Sequence, residues 1–387
     1  MRSFVSDVAR DIKPSGIRKF FDLVLTMDSD DVISLGVGEP DFDTPWSISK
    51  AAITSIEKGM TMYTSNRGLP ELCGLLCEDF KNRDGVEYDP KSEVIFTTGV
   101  SEGLDIAMRA VVNPGDEVLV VDPCFVSYQP EVYLAGGRPK PLPCRAEDQF
   151  KITPDSLMEH LTPKTKVLMM NFPNNPTGGV MNRDDLKAIA DIIIDHDLLV
   201  ISDEVYSELS YEEKHTATAS IDGLFERTIT LNGFSKAYAM TGWRLGYLCA
   251  PKEICDAALK IHQYAMMSAP TASQFAAIEA LKSGEEAKDE MVAEYRIRRN
   301  LFVKGLNDVG LSCHVPQGAF YAFPSIESTG LTDEEFAERL LKEQQVAVVP
   351  GSAFGESGHG HIRTCYAVER PKLIEAVRRI GEFVDSL

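Results

Sequence analysis

No apolar run in this 387-residue chain approaches the length of a membrane span, so no membrane-crossing helix is expected. Its first ten residues carry Arg2, Asp7 and Arg10 and lack the apolar centre of a secretory leader. Positive charge is scarce. The 39 Lys and Arg residues stand against 59 Asp and Glu, for a net charge of −20. A surface that acidic repels phosphate backbones, which argues against nucleic-acid partners. None of the eight cysteines pairs at zinc-ribbon spacing, and no metal centre is expected. Scattered free thiols suit a reducing cytoplasm. Cys73 and Cys77, four apart in a helical pattern, predict two buried thiols on one helix face. His359 and His361 read as solvated residues in and beside a loop. Low-complexity tracts and solenoid-period repeats are also missing. What remains is globular: 44% hydrophobic and 25% charged, with length for a large core and two domains.

The apolar pattern alternates between two periods. Val94–Thr97, Glu117–Asp122, Lys166–Asn171, Leu198–Ser202 and Thr228–Leu231 predict strands, and Leu104–Val112 and Asp184–Asp195 predict helices between them. Such regularity implies an α/β class: a mostly parallel sheet sandwiched by helices. Earlier in the chain, helices are predicted over Ile12–Leu25, Ser47–Lys58 and Leu69–Arg83, with a short strand at Val32–Leu35. Leu245–Ala250 is a further candidate strand. Beyond Pro270 the character changes. Thr271–Asp308 is helical and charged, Cys313–Phe323 and Val346–Val349 read as strands, and Pro371–Phe383 is a final amphipathic helix. The expected division is an N-terminal segment (1–44) packing on a smaller α+β domain (281–387), with a large α/β domain (45–280) between.

The chemistry gathers at the loops. Thr230–Gly246 holds Lys236 in a turn of small and polar residues after a strand, and Arg244 eight residues later. Ligands of open α/β sheets bind at strand ends. Alone, such a lysine would ordinarily be a surface residue. Buried, its amine loses its proton more readily and forms Schiff bases with carbonyls. A guanidinium offers a fork of donors suited to phosphate. An amine for an aldehyde and a guanidinium for a phosphate point to pyridoxal 5'-phosphate. The turn Gly99-Val-Ser-Glu-Gly103 opens a helix and presents backbone N–H groups to an anion, though many such turns bind nothing. Phe125 is either a platform for a flat ring or core. Asn171–Gly179, with two prolines, is a rigid turn at a strand end. Asp203 and Tyr206 are three apart, so a helical turn puts both on one side. Gly36 and Gly38 permit close backbone approach to a ligand but lack the third glycine of a dinucleotide fingerprint. Arg363 sits alone on a short strand, where an arginine is usually a rim salt bridge.

Taken in order, Gly-Glu-Pro-Asp-Phe42, Asn-Asn-Pro-Thr-Gly178, Asp-Glu-Val-Tyr206, Ser-Lys-Ala-Tyr-Ala-Met-Thr-Gly-Trp-Arg244 and Arg363 resemble the class I/II pyridoxal-phosphate aminotransferases of fold type I, nearest the archaeal and bacterial aromatic, aspartate and alanine enzymes. The resemblance implies a PLP-transferase fold and transfer of an amino group from an L-amino acid to a 2-oxo acid, with 2-oxoglutarate and glutamate as one pair. It implies that Lys236 holds the cofactor as a Schiff base and then shuttles a proton. Asp203 would pair with the ring nitrogen, Asn175 and Tyr206 would reach the phenolic oxygen, and Phe125 would stack on the ring. Val100, Ser101, Ser235 and Arg244 would cradle the phosphate. Tyr63 would reach it from a neighbouring subunit, making the enzyme a homodimer. Arg363 would clamp the substrate carboxylate, helped by Asn175 and the backbone at Gly38. Many relatives carry serine where Gly233 stands, and tryptophan or tyrosine where Phe125 stands. Substrate side chains could face Tyr63, Arg67 or the segment near Ile17. The same scaffold also hosts carbon–sulfur β-lyases, and an inactive binding module is a third reading.

Overall fold

The computed structural model describes residues 4–17 and 31–387. The predicted helix over Ile12–Leu25 falls mostly outside these residues. Within them, helix runs over Asp7–Asp11, capped by the Ser6 hydroxyl, and Lys13–Ser15 are not helical.

Among the described residues, twelve strands form three sheets. β1 (Ile33–Ser34) lies near the N-terminus. β2 (Val94–Thr97), β3 (Glu117–Asp122), β4 (Arg138–Pro143), β5 (Thr165–Asn171), β6 (Leu199–Asp203), β7 (Thr228–Gly233) and β8 (Gly246–Cys249) build one seven-stranded sheet in the order β2-β8-β7-β6-β5-β3-β4. Only β8 runs against its neighbours. β9 (Tyr321–Ala322), β10 (Val346–Ala347), β11 (Val349–Pro350) and β12 (Ile362–Cys365) make the small sheets. β10 pairs with β1, and β12 lies between β11 and β9. The expected α/β sheet is present, with strands fully buried as covering on both faces requires.

Three readings need correction. β4 was not foreseen, because Arg-Pro-Lys-Pro-Leu-Pro carries three prolines. It survives as an edge strand, where the missing N–H groups cost no ladder bond on the open side. Cys313–Phe323 is strand only at Tyr321–Ala322, since Pro316, Gly318 and Ala319 (φ 58°) break the extended run. Val346–Val349 divides into β10 and β11, which pair with different strands.

Three apolar clusters fill the interior. One centres on β3, β5 and β6, and another packs the helices Pro70–Asp84 and Thr271–Ser283 on β2 and β8. In the third, Ile33 and Leu35 join residues of the helices Glu285–Asp308 and Arg370–Asp385. Cys73 and Cys77 are buried on one helix as expected. His359 is exposed, whereas His361 is partly buried and stacks on Phe323, centroids 4.9 Å apart.

His314 carries a pH dependence. Neither ring nitrogen has a hydrogen-bond partner, and burial pushes the imidazole from 6.5 down to about 4. Above pH 6.5 the ring is mostly neutral folded or unfolded, and its titration adds nothing to the stability. As pH falls, the unfolded chain takes the proton first, so stability drops between pH 6.5 and 4, by up to about 3 kcal/mol. His314→Leu should flatten that part of the curve in urea titrations at pH 7 and 4.5. An unchanged difference between the two pH values would contradict this.

Candidate active site

The parallel strands β5, β6 and β7 end side by side, with Asn171 opposite Asp203 and Asp203 opposite Leu231. Over these ends lies a cavity of about 340 Å³. It is lined by Gly38, Val100, Ser101, Phe125, Asn175, Asp203, Tyr206, Ser235, Lys236, Arg244 and Arg363. Eleven of the twelve residues singled out from the sequence therefore converge. The twelfth, Tyr63, does not line the cavity; its side chain is 80% exposed. Ile17 also lines the cavity, but Arg67 is turned away into an ion pair with Asp256 at 2.6 Å.

Lys236 leaves the turn after β7 and donates from Nζ to the Gly38 carbonyl at 2.7 Å. Burial brings its amine from 10.5 down to about 8. Cys365 and Glu39 oppose that shift, while Arg363 and Arg244 reinforce it. At pH 8 about half of such amines are neutral, against well under ~1% of ordinary lysines. Asp203, at the end of β6, is the opposite case. Burial raises its carboxyl to about 6 although the Tyr128 hydroxyl (2.8 Å) and the Val205 N–H (3.1 Å) both donate to it. It is still mostly ionised at neutral pH. Asn171 braces both neighbours, donating to the Asp203 carbonyl at 2.8 Å and accepting from the Asn175 N–H at 3.0 Å.

One wall is built for an anion. β2 runs into the helix Gly99–Val111, whose first turn exposes the N–H groups of Val100 and Ser101. The Arg244 side chain lies against that turn, so close that a Cβ on Gly99 (φ 73°) would sit 2.5 Å from Nη2. A Cβ on Gly246 would sit 2.6 Å from the Val100 nitrogen. A guanidinium facing the positive end of a helix dipole is unfavourable until an anion lies between them. Gly233, where relatives often have serine, has no room for more. A Cβ there would meet the Gly246 Cα at 2.9 Å and the Leu245 carbonyl at 3.0 Å.

Arg363 closes the other side. It is 2% exposed and donates to Asn175 Oδ1 at 3.0 Å and the Gly36 carbonyl at 2.6 Å. Its Nε has no partner. The guanidinium lies 4.6 Å from the Tyr321 ring centroid and 4.8 Å from that of Phe354. Its hydrogen-bond partners are neutral, so the rim salt bridge typical of a strand arginine is not its role.

The class I and II aminotransferase model matches residues 30–380. The chain belongs to that family. This aminotransferase is 52% identical over 384 residues to the putative aminotransferase YugH of Bacillus subtilis, with 99% of each chain covered. The solved aromatic aminotransferase of Pyrococcus horikoshii matches it with a TM-score of 0.91 at 46% identity, covering 96% of this chain and 99% of that one. The aspartate aminotransferase of Thermus thermophilus, solved with maleate, gives 0.93 at 37% identity, covering 99% and 100%. Enzymes of the family bind amino acids and 2-oxo acids and commonly form homodimers. Among the described residues of this aminotransferase, no helix is long and apolar enough to cross a membrane.

Among the lining residues that escaped the sequence reading, three hydrogen-bond to residues it had singled out. Tyr128 holds Asp203, and its spacing of three from Phe125 was the available clue. Asn171 was read only as part of a turn. Tyr321, whose hydroxyl lies 2.9 Å from that of Tyr206, gave no local sign.

Proposed function

We propose that this aminotransferase works with pyridoxal 5'-phosphate joined at Lys236, moving the amino group of an L-amino acid to a 2-oxo acid, with glutamate and 2-oxoglutarate as one pair. The observation that carries the reading is a part-buried amine brought down to about 8 in the same cavity as a buried acid and a cradle of helix N–H groups beside a guanidinium. Those features fit the cofactor's three distinguishing groups: an aldehyde, a ring nitrogen and a phosphate. When bound, pyridoxal phosphate supplies an electron sink for charge developing at the substrate α-carbon.

The chain's own residues do the rest. The Val100 and Ser101 N–H groups, Ser235 and Arg244 hold the phosphate, and Phe125 covers one ring face. Asp203 keeps a proton on the ring nitrogen, with Tyr128 fixing the carboxylate. Asn175 and Tyr206 donate to the phenolic oxygen. Lys236 Nζ, neutral in a useful fraction, would take the proton from the substrate α-carbon and pass it to the carbon that carried the cofactor's aldehyde. Arg363 grips the α-carboxylate, with Asn175 and the Gly38 backbone beside it, and so aligns the bond to be broken. Tyr63, exposed in this chain, would reach the phosphate of a second copy in a homodimer. We further take residues 1–44, of which 4–17 and 31–44 are among the described residues, as a segment whose described part packs on a C-terminal unit (281–387), with the cofactor on residues 45–280. The cluster shared by Ile33, Leu35 and the C-terminal helices supports this division.

A half-reaction screen tests the reading. Loaded protein is mixed with single amino acids without acceptor, and the visible band of the aldehyde form is followed. Loss of that band with glutamate, and with at least one aromatic, aspartate or alanine-type donor, is expected. No change with any amino acid, or pyruvate and ammonia released from a cysteine-type donor, would overturn it.

A further inference from the structure

Tyr321 lines the cavity and touches three of the groups assigned above, Tyr206, Arg363 and Gly38. It stands on β9, only 1% exposed. Its hydroxyl oxygen is 2.9 Å from that of Tyr206. Its ring lies under the Arg363 guanidinium at 4.6 Å. The same hydroxyl occupies the space beside Gly38 that a side chain would need, since a Cβ there would be 2.3 Å from it. Gly38 in turn takes the Lys236 hydrogen bond at 2.7 Å.

We propose that Tyr321 is a positioning residue that donates its hydroxyl proton to Tyr206 and so sets how strongly Tyr206 donates into the cavity. The inference rests on the functional reading above. A phenol has one proton to give and lone pairs to receive with. When Tyr206 gives its proton to an oxygen in the cavity, its contact with Tyr321 can only be one in which Tyr321 donates. Linked hydrogen bonds polarise one another, by about 10–30% per bond in a condensed phase. A better-donating Tyr206 draws charge from the cofactor's phenolic oxygen and makes the adjacent Lys236 nitrogen hold its proton less tightly. The aromatic face has a second use. It supports the Arg363 guanidinium by cation–π contact, typically worth more where water is excluded. One side chain thus ties the oxygen-facing donor to the carboxylate clamp. Gly38 keeps room for it.

The test uses holoenzyme and two variants. Tyr321→Phe deletes only the hydroxyl. The pH midpoint of the loaded protein's visible-band transition should rise by roughly 0.1–0.7 unit, because Tyr206 still donates and only the strengthening supplied by Tyr321 is lost. KM for the amino acid should change less than about threefold, because the ring under Arg363 remains. Tyr321→Leu removes both features, so it should raise the midpoint and also raise KM by about tenfold or more. In a Tyr206→Phe background, Tyr321→Phe should no longer move the midpoint, which a merely structural role would not produce. A midpoint unmoved by Tyr321→Phe, or moved equally in that background, overturns the inference while leaving the cofactor assignment standing. A wild-type protein that develops no visible band with pyridoxal phosphate overturns both.

Discussion

Lys236→Ala is expected to lose turnover by at least the ~10²–10⁴-fold that a positioned base contributes. The loss should be larger still, because covalent attachment goes with it. The amine is neutral in a useful fraction only because the cavity has stripped water from it and brought it down to about 8. No other described side chain lining the cavity offers an amine. Arginine should not substitute, since a guanidinium stays charged at any working pH. The cofactor should still bind without covalent attachment. The cradle at Val100, Ser101 and Arg244 makes no hydrogen bond to Lys236, whose amine is bonded instead to the Gly38 carbonyl. Steady-state rates and absorbance after gel filtration separate the two effects. Wild-type turnover in the alanine variant would refute the assignment.

Asp203→Asn comes second, with a fall in kcat of roughly 10²–10³-fold, the scale of removing one preorganised electrostatic contact. The substitution keeps the shape of the side chain and removes its charge. An ionised carboxylate can hold a proton on a facing ring nitrogen; an amide cannot. Stability should not suffer comparably. Burial already raises the acid to about 6, so its ionised form is costly in the absence of a partner cation. The expected pattern is therefore lower kcat, a modest change in KM and an unfolding midpoint equal to wild type or higher. A variant within threefold of wild-type kcat would remove Asp203 from the chemistry.

The sequence was most legible where local pattern and global fold agree. The buried strands β2, β3 and β5 to β7 announced themselves as apolar runs, and each was followed by the loop that carries a site residue. It was least legible where packing overrides propensity. Three prolines hid β4, because only its edge position makes them tolerable. The stretch from Cys313 to Phe323 is apolar enough for a strand, yet its backbone turns at Gly318 and Ala319 to deliver Tyr321. Tyr128 and Tyr321 matter through hydrogen bonds to Asp203 and Tyr206, residues far away in the chain. No spacing rule reports such contacts. Gly233 is a different lesson. Read as a lost hydroxyl, it proves to be a position where the neighbouring backbone leaves no space.

The two carbonyls at Gly36 and Gly38 reach Arg363 and Lys236 from a segment tied to β10 and β12, which are made last: β1 pairs with β10, and the Cys365 N–H bonds the Leu35 carbonyl at 2.7 Å. The lysine is therefore translated before the strands that complete its pocket. Until they pair, its amine is that of any solvated lysine, almost wholly protonated at neutral pH. The nucleophile arises only when the end of the chain closes over it, so adventitious carbonyl adducts at this position should mark the mature enzyme rather than truncated translation products.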